Sequence, residues 1–194
     1  MNRFTALLLT VLAMSGIGQA GAAEVAGVKI DDKLKFSAAG PELVLNGAGL
    51  RTRYRLKVYV AGLYLAEKKA SAADVVALKG PKRIQIWIMR DVAANQMSSA
   101  FIEALNANLS ATELEKFKSQ IQQFNATFSA IEAMNEGDVM TIDLLPGTGT
   151  RISVNAKASG TPIAGDDFYA ALLKIWLGDN PVQADLKKAL LGQI

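Results

Sequence analysis

Cysteine and histidine are both absent from the 194 residues. Their absence excludes a Ser-His-Asp triad, a thiolate nucleophile, a Cys/His zinc site and any disulfide. No side chain has an ordinary pKa near neutrality, so proton transfer would need a shifted Asp, Glu, Tyr or Lys. A net charge of +3, with the basic residues spread along the chain, does not imply nucleic-acid binding. A stretch of about 20 apolar residues, the length that crosses a bilayer, is also missing. What is present is a chain 51% hydrophobic and 20% charged, long enough to bury a core.

The first segment reads as an address. Met1-Asn2-Arg3 is a short positive start, Phe4 to Met14 is a mostly apolar run of 11 residues, and small residues follow from Gly16 to Ala23. These are the three parts of a secretory signal peptide. Cleavage after Ala22 or Ala23 would leave residues 24–194 as a single domain of about 171 residues. The expected location is the periplasm, and without disulfides the exported domain must be held by its core.

The remaining chain predicts strands, helices, strands and helices in turn, an α+β domain. Residues 25–34, 42–45, 53–65 and 82–91 are β-rich or alternate, as Ile84, Ile86 and Ile88 do against Gln85, Trp87 and Met89. Residues 92–106 carry an apolar stripe at helical spacing. Ser110-Ala-Thr-Glu113 is a capping box opening a helix whose apolar residues run from Leu114 to Ile131. Residues 139–145 and 151–156 flank a Pro146–Thr150 turn, and 159–165 is a Gly/Pro segment. Two short helices close the chain. Asp166 or Asp167 is expected to cap the first, Gly178 to end it, and Pro181 to occupy the first position of the second.

Asn46-Gly-Ala-Gly-Leu-Arg51 is superficially like a nucleotide loop, but it lacks the third glycine and leads into a strand. Its glycines instead predict a bulge or a close backbone approach. The pairs Asp31-Asp32 and Asp166-Asp167 read as turn and cap residues, so no metal site and no cofactor is expected. In an unbroken strand, Arg51, Arg53, Arg55, Lys57 and Tyr59 would share one face. That face is either a solvated basic surface or the place where an Arg and a Tyr hold an anion beside an apolar cleft. Three further cations in such a cleft would be costly. A turn or bulge between Arg51 and Tyr59 would turn the intervening residues away.

Asn46-Gly-Ala-Gly-Leu-Arg51 with Lys57-Val-Tyr-Val-Ala-Gly-Leu-Tyr-Leu65, and at the far end Lys174-Ile-Trp-Leu-Gly-Asp-Asn-Pro181 with Leu186–Gly192, resemble the bacterial exported branch of the chalcone isomerase-like proteins. The resemblance implies an open-faced β-sandwich, a large antiparallel sheet with helices packed on one face and a cleft between them. It implies two possible behaviours. Plant isomerases close a flavanone ring, with an arginine positioning the nucleophile and hydroxyls stabilising an enolate. Related plastid proteins bind fatty acids, with an arginine and a tyrosine on the carboxylate. By resemblance, Arg51 matches the family arginine and Tyr59 falls where isomerases carry a threonine and fatty-acid binders a tyrosine. A second isomerase threonine falls on Ile175, and the helix bearing a tyrosine and an asparagine corresponds to residues 109–131, which contain no tyrosine.

The expectation is therefore a non-catalytic binder of a fatty acid or similar apolar carboxylate, through Arg51 and Tyr59. One alternative is a cofactor-independent isomerase or lyase of the chalcone isomerase type. The other is an envelope accessory acting through protein contacts, with Trp176 as a candidate surface residue, although its type is more in keeping with burial.

Overall fold

The computed structural model describes residues 22–131 and 133–194. The expected signal peptide lies outside them, except that Ala22 and Ala23 belong to the first strand. In chain order the strands are β1 (Ala22–Val25), β2 (Val28–Asp31), β3 (Lys33–Lys35), β4 (Glu42–Arg53), β5 (Leu56–Leu65), β6 (Lys82–Ile88), β7 (Val92–Ala93), β8 (Ala133–Met134), β9 (Val139–Leu145), β10 (Gly149–Val154) and β11 (Lys157–Ile163). The helices are α1 (Ala72–Ala77), α2 (Ala94–Asn108), α3 (Ala111–Lys116), α4 (Lys118–Ser129), α5 (Asp166–Leu177) and α6 (Ala184–Leu190).

Seven strands make one sheet in the order β11-β10-β9-β6-β5-β4-β3, with every neighbouring pair antiparallel. The connection from β6 to β9 carries α2, α3 and α4 across one face, and α5 and α6 return to that face after β11. The principal core lies between this sheet face and the helices. Ile84, Ile86, Ile142 and Ile152 rise from the sheet to meet Phe101, Phe124, Phe168, Leu172 and Trp176. The expected large antiparallel sheet with helices on one face is what forms. Its other face is partly covered by the β1–β2 hairpin, and Ile30, Phe36, Leu43, Leu45, Val60 and Tyr64 form a second buried cluster there.

The alternation read in residues 82–91 gives β6, whose residues alternate buried and half-buried along its whole length. The capping box at Ser110 and Glu113 forms as expected. The helix it opens is broken at Phe117 into α3 and α4, although backbone bonds from Phe117 N to Glu113 O and Ile121 N to Phe117 O pass through the break. The Gly/Pro segment at 159–165 is largely strand β11. It lies at the sheet edge, where Pro162 removes no ladder bond that a neighbour needs. Gly165, not Asp166 or Asp167, occupies the N-cap of α5, and the Asp166 carboxylate accepts from Gly147 N instead. Gly178 does end α5. Pro181 lies before α6, which begins at Ala184 with Gln183 as its N-cap.

Candidate functional site

Two irregularities in the β4–β5 hairpin decide what faces the helices. The first is a register shift between Leu45 and Gly47. Leu43 and Leu45 point to the outer cluster, as do Ala48 and Leu50, so the parity of β4 changes at Asn46. A one-residue change of register moves every later side chain to the opposite face. Gly47, Gly49 and Arg51 thereby turn towards the helices.

The second irregularity lies at the hairpin's far end. Tyr54 and Arg55, with φ of 50° and 65°, form a two-residue turn, and the register shifts again between Arg51 and Thr52. Thr52 pairs with Lys57, but Arg51 pairs with Tyr59, which leaves Val58 as the extra residue. Leu56 and Val58 therefore face the helices together with Tyr59, while Arg55 and Lys57 are exposed outside the cleft. The strand is therefore not unbroken: the turn or bulge expected between Arg51 and Tyr59 forms, and it removes two of the five side chains from the shared face. Arg53 stays beside Arg51.

These residues form one side of a cleft of about 470 Å³. The other side is α2, through Met97, Ala100, Phe101 and Ala104, with Arg90 and Asp91 at the rim. Neighbouring strands place Arg51 and Tyr59 directly opposite each other. Tyr59 is 4% exposed, and its hydroxyl oxygen accepts from Trp176 Nε1 at 3.0 Å. Its own proton remains to be donated. Burial pushes the Tyr59 pKa up to about 12, against the opposing pull of the Trp176 hydrogen bond and the Arg51 charge. The phenol stays neutral, as a donor and not as a base.

Arg51 is half-buried and takes part in none of the ion pairs among the described residues. Its Nη1 donates to the Thr52 carbonyl and to Gln183 Oε1 at 3.3 Å. Gln183 Oε1 also accepts from Thr52 N at 3.0 Å, and its Nε2 donates to the Leu50 carbonyl at 3.1 Å. Sequence reasoning missed Gln183, because a lone polar residue before a short helix carries no signal that it bridges to a distant strand. The helix set by resemblance against the isomerase one, residues 109–131, is not the cleft wall. The wall is α2 instead, and Asn125 accepts from Ser98 between α2 and α4. Ile175, set against the second isomerase threonine, is fully buried in the core. Trp176 is buried too, which removes it as a surface contact. It meets Phe101 edge-on at 5.3 Å between ring centroids and supports the inner end of the cleft.

The bulged β4–β5 hairpin thus presents a neutral tyrosine, and an arginine in no ion pair among the described residues, to a cleft walled on its other side by α2. Over residues 22–192 the sequence matches the family described as chalcone isomerase-like, and the chain belongs to that family. A solved structure with the same fold is that of a fatty-acid binding protein from Arabidopsis thaliana, at 16% identity and a TM-score of 0.59. The match covers 82% of this chain and 96% of that one. No curated protein matches the sequence.

Proposed function

We propose that the protein is a non-catalytic binder of a fatty acid or similar apolar carboxylate, held in the cleft between the β4–β5 hairpin and α2. The observation that carries this is the pairing of Arg51 with Tyr59 across the bulge, a free cation beside a free phenolic proton at the inner end of an apolar slot. A carboxylate there takes charge-assisted bonds from the guanidinium and one bond from the phenol, and its chain lies along Leu56, Val58, Met97 and Phe101. The fold shared with a fatty-acid binding protein supports the same reading. We also propose that residues 1–23 are a signal peptide and that the periplasm is the destination. N-terminal sequencing of the protein recovered from the periplasmic fraction checks both.

Native mass spectrometry and thermal shift with oleate test the binding. Wild type should hold one fatty acid and melt higher in its presence. Arg51→Ala should bind roughly 30-fold more weakly, the loss of about 2 kcal/mol expected for a bond to a charged group. Absence of any bound lipid, and of any shift with added fatty acid, would overturn the proposal.

A further inference from the structure

The turn that closes the β4–β5 hairpin is chemically unusual. Two-residue turns with positive φ at both positions favour Asn-Gly or Asp-Gly, since a side chain is strained there. Here the two residues are Tyr54 and Arg55, both bulky. Tyr54 is 86% exposed, and Leu56, two residues on, is 51% exposed. They are two of the four exposed large apolar side chains among the described residues. Around them stand Arg53, Arg55, Lys57 and Arg90, none of which is in an ion pair among the described residues. The Arg53 guanidinium lies over the Tyr54 ring, 5.4 Å from its centroid. Two acids, Asp91 and Glu103, also line the cleft, and Asp91 is engaged by Glu136 N. Tyr54, Leu56 and Arg53 all line the cleft, so this tip is its mouth.

An aromatic ring and an aliphatic side chain projecting from a ring of cations is the chemistry that settles at a membrane interface. The apolar groups enter the headgroup boundary, and the cations meet anionic lipid. We propose that the Arg53–Lys57 hairpin tip docks the protein on an anionic phospholipid surface and brings the cleft mouth against the bilayer. This rests on the reading of the cleft as a lipid site, and it adds a route: the ligand passes between membrane and cleft without crossing water. It also accounts for a strained turn kept with large side chains, since a smaller and easier turn would offer nothing to the membrane.

The test is flotation of the purified protein, as the cell accumulates it, with vesicles of phosphatidylglycerol mixed into phosphatidylcholine and with vesicles of phosphatidylcholine alone. The protein should float with the anionic vesicles only, and added salt should weaken the association. Arg55→Gln with Lys57→Gln should lower partitioning about 25-fold, roughly fivefold for each cation removed. Tyr54→Ser with Leu56→Ser should also release the protein, with melting temperatures unchanged in both variants. A Tyr54→Trp variant reports locally, its emission moving to the blue on anionic vesicles. Binding that survives both double variants, or no binding to either vesicle, overturns the proposal, as does a tip that retains only a protein partner. Arg51→Ala separates the two readings. Flotation that fails while oleate still binds removes the docking alone, and oleate binding that fails while flotation persists removes the anchor alone.

Discussion

An arginine that is to hold an anion must be fixed by groups that do not neutralise it, and Gln183 meets that condition. Its amide oxygen takes bonds from Arg51 and Thr52 N, and its amide nitrogen closes on the Leu50 carbonyl, so one neutral side chain ties the guanidinium to the strand that carries it. A glutamate would reach the same donors but would form an ion pair with Arg51 and repel an incoming carboxylate. Gln183→Glu is expected to weaken fatty-acid binding roughly tenfold, about 1.4 kcal/mol. The corresponding fatty alcohol should be nearly unaffected, since it does not depend on the charge. Displacement of a fluorescent lipid by each ligand measures the difference, and an equal loss for both would show Gln183 to be merely structural. Tyr59 adds no competing pH dependence below about pH 10, because its proton is retained to about 12.

Helix α3 is short, exposed and built on one carboxylate. Glu113 accepts from Ser110 N in the capping box at 2.9 Å and from Lys174 Nζ of α5 at 2.7 Å. Lys174, first, and then the Ser110 N–H hold the Glu113 carboxyl down to about 2 from an ordinary 4.5. A carboxyl depressed on folding contributes its stability above its unfolded value and loses it as pH falls towards the folded one. The contribution is complete above pH 4.5 and disappears between there and about pH 2. Glu113→Gln should therefore lower the melting temperature at pH 7 and narrow the gap to wild type as pH falls through this window. A constant gap would place the effect in packing and not in the charge. The capping box itself was legible in the sequence because both its partners lie within four residues. The Lys174 bond was not, for its partner lies 61 residues away. The same limit explains the two hairpin bulges. Alternation predicts which residues share a face; the glycines after Asn46 signal a bulge or close approach, and the crowded cations a turn or bulge before Tyr59, but local composition does not mark Asn46 and Val58 as the extra residues that reverse each strand.

The whole molecule is closed at one seam, and the glycines of Asn46-Gly-Ala-Gly49 mark it. They predict a bulge or a close backbone approach, and both occur: the register shifts at Asn46, and α6 lies directly on β4. A Cβ on Gly47 would sit 2.0 Å from the Ala189 carbonyl oxygen, and one on Gly49 would sit 2.7 Å from the Ala189 Cβ. Asn46 fastens the same place, donating to the Leu190 carbonyl at 2.7 Å across 144 residues of chain, and it also binds Lys69 through its side-chain amide. In a protein without cysteine, this seam does work that a disulfide does elsewhere, joining the C-terminal helix to an early strand. It also positions Gln183 at the start of α6, and through it Arg51. The two glycines should respond differently to substitution. Gly47→Ala meets backbone that cannot retract, so a loss of about 3 kcal/mol is expected. Gly49→Ala meets a methyl group and should be rescued by Ala189→Gly, whereas the same second change should leave Gly47→Ala unrepaired. Denaturant melts of the two single and two double variants measure this, and the oleate affinity of Gly47→Ala should fall with its stability as α6 and Gln183 shift. If Ala189→Gly restores both variants equally, the seam is governed by side-chain volume. The helix would then be free to adjust over the strand, and the coupling from Gly47 to Arg51 would not exist.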